Sequence, residues 1–227
     1  MVGTPLVMQL LNLCAALLLL LSFAMLSQRR IVNMVNLLAV QGAVLFMATL
    51  LLAGRTGQYH LYISAALTLG LKVILLPWLL YRLIRRLGVY WDAEPLLNIS
   101  GTMLVGVLVV VFAFGLAQPI SQLASTATRN AIGIAVAVIL LSFITMITRR
   151  KAMSQVVGFL SMENGLFFGA MSATYGMPMV VELGVALDVL VAVLVLGIFF
   201  FQIREQFDSL DLHNLESLKE DAAVRNE

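Results

Sequence analysis

A polytopic bundle of membrane-spanning helices, all-α, is the fold class that the sequence predicts, on three observations. Of 227 residues, 61% are hydrophobic and only 11% are charged, where a soluble domain carries about 45–50% and about 25%. The apolar runs are about as long as the ~20 residues that a helix needs to cross a bilayer. The stretches between them are too short for a soluble catalytic domain, so the usual equation of such a length with one or two water-soluble domains fails.

Seven spans account for the chain most economically. The first covers about residues 5–27; no Lys or Arg precedes it, so it lacks the basic start of a signal peptide and is expected to be retained. The second covers about 31–53 and the third about 60–84. The polar stretch Trp91-Asp92-Ala93-Glu94-Pro95 separates these from the fourth, about 103–120. The fifth is about 131–147, the sixth about 152–175 and the seventh about 177–201. Residues 1–203 thus form the bundle and 204–227 a tail, in which seven acids face three bases. Leu210, Leu212, Leu215 and Leu218 interleave with those charges and give the tail a partly amphipathic segment that would dock on a partner.

Basic loops stay in the cytoplasm. Arg29 and Arg30 follow the first span, Arg82, Arg85 and Arg86 end the third, Arg149, Arg150 and Lys151 follow the fifth, and Arg204 follows the seventh. The alternate loops hold only Arg55 and Arg129. This alternation puts the N-terminus outside and the acidic tail in the cytoplasm. It also hints at a parallel repeat of spans one to three as spans five to seven, since Arg29-Arg30 and Arg149-Arg150 each open the second helix of a set. Parallel repeats are common in transporter folds.

The chain has no redox or metal chemistry of its own to offer. One cysteine, Cys14, excludes an internal disulfide and a cysteine-based metal site, and the two histidines, His60 and His213, lie far apart. No phosphate-binding glycine loop or catalytic triad spacing is visible.

Four ionisable residues fall inside predicted spans: Lys72, Glu163, Glu182 and Asp188. Each charge at the bilayer centre costs about 2.5–3.5 kcal/mol on insertion scales, so they must face one another, water or a partner subunit. A carboxyl group in apolar surroundings holds its proton more tightly, and a nearby ammonium loosens it again. Such a set serves as a proton relay across the midplane, or else as buried ion pairs that only fix how the helices pack. If Lys72 and Asp188 hold equivalent places in the two repeats, they form one pair; Glu163 or another chain is the other candidate partner. Asn33, Asn36 and Gln41 share a broad face of the second span, which therefore looks inward, and Asn164 follows Glu163 directly. Pro77, five residues after Lys72, removes a helix hydrogen bond and can kink the third span beside the charge. Gly165 and Gly169 have the spacing of a close helix contact.

Several of these segments together resemble the component E membrane subunit family of hydrogenase-4. They are Val157-Gly158-Phe159-Leu160-Ser161-Met162-Glu163-Asn164-Gly165, Val181-Glu182-Leu183-Gly184-Val185-Ala186-Leu187-Asp188, and Lys72-Val73-Ile74-Leu75-Leu76-Pro77, with Leu210-Asp211, Asn214-Leu215 and Leu218-Lys219 in the tail. The resemblance implies that the last three spans are similar to the K-type subunit of respiratory complex I and to the C-type subunit of multi-subunit cation/proton antiporters. It implies that Glu163 belongs to a midplane chain of charged residues, and that either Glu182 or Asp188 stands where that subunit carries its second key glutamate. The expected setting is the cytoplasmic membrane of a bacterium or archaeon. The expected partners are antiporter-like membrane subunits, an H-type connecting subunit and a peripheral hydrogenase arm, with the lipid bilayer around them and no nucleic acid. A nickel–iron centre and iron–sulfur clusters would belong to those partners, and no cofactor to this chain. The expected function is that of a non-catalytic subunit of a group 4 hydrogenase or formate hydrogenlyase-like complex, relaying protons in step with redox chemistry. The alternatives are a subunit of a cation/proton antiporter without redox function and a structural membrane adaptor.

Overall fold

The computed structural model describes residues 3–87, 99–121 and 126–174, together with Gly184, Leu190, Val193 and Gly197. The described residues contain no strand. They form seven α-helices: α1 (Gly3–Ser27), α2 (Ile31–Thr56), α3 (Tyr59–Thr68), α4 (Leu76–Leu87), α5 (Ile99–Ser121), α6 (Thr126–Thr148) and α7 (Ala152–Thr174), and a π-helical segment over Leu69–Leu75 runs straight from α3 into α4. Counting α3, the π segment and α4 as one rod, six helices are long and apolar enough to cross a membrane, from Leu6–Ser27 to Ala152–Thr174. These are the first six expected spans. Most of the expected seventh, with Glu182 and Asp188, lies outside the described residues, as does the acidic tail. The chain divides into two compact units, Met1–Asp188 and Val189–Glu227, and all seven helices belong to the first.

Long apolar runs become helices because the bilayer interior offers backbone N–H and C=O groups no partners but each other. The turns between them carry the local signals. α2 ends at Gly57, whose φ of 68° is the left-handed conformation that glycine adopts without strain, and its N–H donates to the Ala53 carbonyl at 2.9 Å. The α6–α7 turn is held from inside by Arg149, a buried guanidinium whose Nη2 donates to the Leu26 carbonyl near the end of α1 at 3.0 Å.

Two hairpins, α1–α2 and α6–α7, pack side by side, α1 against α6 and α2 against α7, while α5 lies outside against α6 and α1. The contact of α6 with α7 is the most extensive, because glycines let the backbones close up. A Cβ added at Gly165 would stand 2.8 Å from Val138 Cγ1, and one at Gly169 would stand 2.9 Å from Ala135 Cβ. Both hairpins carry the same serine geometry, displaced by 120 positions (18 to 138, 22 to 142, 41 to 161). Ser22 Oγ donates to the Leu18 carbonyl at 2.9 Å and lies 2.7 Å from Gln41 Nε2. Ser142 Oγ lies 2.8 Å from the Val138 carbonyl and 2.9 Å from Ser161 Oγ.

The apolar core joins α1, α2, α3, α6 and α7 through residues such as Leu18, Leu45, Leu61, Val138 and Phe168. Large apolar side chains also cover the outside, among them Leu20, Leu104, Val111 and Ile147. Polar side chains instead cluster inside, where Gln41, Lys72, Glu163 and Asn164 are all buried. That inversion is what a lipid-facing exterior requires.

Candidate functional site

Glu163 and Asn164 fall at the middle of α7, on the side away from the glycines that hold α6. Lys72 falls at the middle of the rod of α3, the π segment and α4, within the π turn itself. Gly42 of α2 decides how closely these elements meet: a Cβ there would stand 3.2 Å from Lys72 Cβ and 3.3 Å from its backbone carbon and oxygen. The π segment lies just ahead of Pro77, whose missing N–H would leave the Val73 carbonyl unpaired in a regular α-helix. In the wider turn the bonding skips five residues, as when the Leu76 N–H donates to the Leu71 carbonyl. The bend expected at Pro77 is thus expressed as a change of helix type beside the charge.

Lys72 Nζ donates to Glu163 Oε1 at 3.2 Å and to Asn164 Oδ1 at 3.0 Å, and it stands 5.4 Å from the centre of the Phe167 ring. The side chains of Lys72 and Glu163 are only 4% and 2% exposed, so their attraction acts with little screening by water. Asn164 Nδ2 donates onward to Gln41 Oε1 at 3.4 Å, and Gln41 Nε2 to Ser22 Oγ at 2.7 Å. A cavity of about 10 Å³, at the lower limit for one water molecule, opens beside the pair between Leu38, Lys72, Leu76, Leu160, Glu163 and Asn164. The site therefore joins a carboxylate, an ammonium and a small space beside them, bordered by the apolar side chains of Leu38, Leu76 and Leu160.

Comparison with known proteins gives this geometry a family. The uncharacterized protein Rv0085 of Mycobacterium tuberculosis is 37% identical over 187 residues, which cover 82% of this chain and 85% of that protein. The chain belongs to the Rv0085 family. Hydrogenase-4 component E is a more distant relative: the Escherichia coli K12 and Shigella flexneri proteins are each 26% identical over 148 residues, 65% of this chain and 68% of theirs. The resemblance to component E read from the motifs is thus found across the greater part of the chain. No family model and no solved structure matches.

In this member of the Rv0085 family, four of the eight polar or ionisable residues singled out by sequence come together: Lys72, Glu163, Asn164 and Gln41. Of the face of α2 expected to look inward, only Gln41 is buried, while Asn33 and Asn36 are exposed. Asn33 Nδ2 donates to Gln28 Oε1 at 3.3 Å. Asn36 stands apart from them, accepting a hydrogen bond from the Tyr81 hydroxyl and tying α2 to α4. Glu182 and Asp188 lie outside the described residues. Gly184, between them in sequence, lies against Phe167, where an added side chain would collide with the ring. Among the described residues, Glu163 is the carboxylate that meets Lys72. The same residues include no group of three or more His, Cys, Asp or Glu side chains arranged to hold a metal.

Three features of the site escape a reading by sequence. Ser22 looks like an isolated hydroxyl in an apolar run, and only its match with Ser142 120 positions later would single it out. Phe167 follows Glu163 by four residues and so shares its helix face. The π segment is flagged only by Gly70 and Pro77, which bracket Lys72 at unequal distances.

Proposed function

We propose that this chain is a non-catalytic membrane subunit of a hydrogenase-like complex of the group 4 or formate hydrogenlyase type, in which Lys72 and Glu163 exchange protons at the membrane midplane. The observation that carries this reading is the 3.2 Å contact between Lys72 Nζ and Glu163 Oε1, buried at mid-helix on both sides. A proton passing from Nζ to Oε1 discharges both groups at once, so neither state leaves a net charge in the apolar interior. The cavity beside the pair, at the lower limit for one water, is where a water would deliver or remove a proton, and Asn164 Oδ1 keeps Lys72 Nζ in place while the proton moves. Distant kinship to component E supports membership of a multi-subunit membrane complex. In this reading antiporter-like and H-type membrane subunits adjoin the chain in a bacterial or archaeal cytoplasmic membrane. Electron transfer belongs to a peripheral nickel–iron arm with its iron–sulfur clusters.

The test is Glu163→Gln, made in the native complex. Gln keeps the shape and loses the exchangeable charge, so the complex should assemble and proton translocation should fall by at least about tenfold, the equivalent of ~1.4 kcal/mol. Full translocation at normal yield overturns the relay. Composition of the purified complex separates the setting: a nickel–iron subunit supports the hydrogenase assignment, and antiporter subunits alone replace it with a cation/proton antiporter.

A further inference from the structure

Asn164, Gln41 and Ser22 extend the charge pair into a chain of buried hydrogen bonds whose sense follows from one group. An ammonium has only donors, so the Asn164 atom facing Lys72 Nζ at 3.0 Å is Oδ1. Asn164 Nδ2 is thereby turned to Gln41, and the atom it meets at 3.4 Å is Oε1. Gln41 Nε2 then donates to Ser22 Oγ at 2.7 Å, and the Ser22 hydroxyl donates to the Leu18 carbonyl at 2.9 Å. Every bond runs the same way, from the π segment through α7 and α2 to α1, and the last acceptor is a backbone oxygen.

Such a chain does not carry protons onward, because carboxamide N–H groups keep their protons in the ordinary pH range and a backbone carbonyl passes nothing on. What the alignment does is present a polarised acceptor to the ammonium, since successive hydrogen bonds with one sense reinforce each other. Gln41 is 0% exposed and Ser22 and Asn164 are each 2% exposed, so water does not readily stand in for a missing member.

We propose that Gln41, anchored by Ser22, is a positioning residue that acts on the Lys72–Glu163 pair through Asn164, holding the amide so that its oxygen stays on Lys72 Nζ. Its effect on proton exchange rests on the relay reading above; the positioning itself is observable without any proton flux.

The chain contains three lysines, Lys72, Lys151 and Lys219. Full-length protein labelled with ¹⁵N-lysine and reconstituted in bilayers therefore has few side-chain nitrogen resonances, and the one lost in Lys72→Met belongs to Lys72. Gln41→Met, of similar bulk, and Asn164→Leu should each displace that resonance, and Ser22→Ala should displace it in the same direction. Ser142→Ala, in the matching serine geometry of α6–α7, should leave it in place. In the native complex Gln41→Met should also lower proton flux by up to about tenfold, the equivalent of one hydrogen bond. A displaced resonance with unchanged flux supports the positioning and counts against the relay. An unmoved resonance in Gln41→Met overturns the positioning, whether or not flux falls. Where Gln41→Met does not fold, Ser22→Ala decides: displacement supports the proposal, and its absence overturns it.

Discussion

Lys72 and Glu163 lie 91 residues apart in the chain, yet their charged atoms meet at 3.2 Å inside the bundle. Removing the lysine takes from the buried Glu163 carboxylate the ammonium it meets, at a cost of about 3–5 kcal/mol. Lys72→Met should therefore lower yield and thermal stability, and Lys72→Met combined with Glu163→Gln should recover part of the loss. Unfolding measured on the two single variants and the double variant gives the coupling between them; strictly additive losses would show that the contact contributes nothing.

Gly42 has little room for a side chain, since even a Cβ would stand 3.2 Å from Lys72 Cβ. Gly42→Val should push the π segment off α2 and destabilise the protein by about 1–3 kcal/mol, as overpacking does. Gly70, in the same segment, has nothing within 4 Å of an added Cβ. Gly70→Ala should thus be neutral or stabilising by up to about 1 kcal/mol, since alanine loses less backbone freedom than glycine. Thermal unfolding of the two variants in detergent checks the contrast.

Close packing of α7 on α6 depends on its glycines in the same way. Gly165→Val meets Val138 and Ile139 side chains and should destabilise by about 1–3 kcal/mol. Gly115→Ala on α5, with open space around it, should stay within about 0.5 kcal/mol of the parent or gain stability. A destabilisation of Gly115→Ala equal to that of Gly165→Val would remove the assignment of the α6–α7 contact to these glycines.

Pro77→Ala restores an N–H that can bond the Val73 carbonyl in α-helical fashion. The π turn should then relax and carry Lys72 away from Glu163, so proton translocation should fall while the helix itself gains stability. Translocation and thermal unfolding measured together read this; equal translocation in Pro77→Ala and the parent would mean that the turn persists without proline.

Much of the fold is legible because the bilayer leaves so few choices. The expected span at 31–53 appears as Ile31–Thr56, the one at 60–84 as Tyr59–Arg86, and the one at 152–175 as Ala152–Thr174. The charges are conspicuous because each is so unfavourable in an apolar helix. What a linear reading does not give is the partner: Lys72 has more than one candidate carboxylate, and the choice depends on which helices Gly42 and Gly165 allow to close up. Nor does apolar periodicity reveal the π turn, since nearly every face of that helix is apolar. Ser22 escapes for the same reason, as a hydroxyl whose meaning lies wholly in the amide it meets.

The π segment has one more effect, on phase. Thr68, Lys72 and Leu76 are buried in succession, four residues apart. In a regular α-helix each step of four would carry the residue round by about 40°; the wider turn, which winds less per residue, counters that drift. The same stretch thereby fixes the angular position of the helix beyond it, including Arg82, Arg85 and Arg86 at the far end of α4. Winding the same seven residues as a regular α-helix would swing that basic end by about 100°, roughly the step of one residue. The winding of this one stretch is therefore under a double constraint, since the inward heading of the lysine and the outward heading of the arginines are geared together.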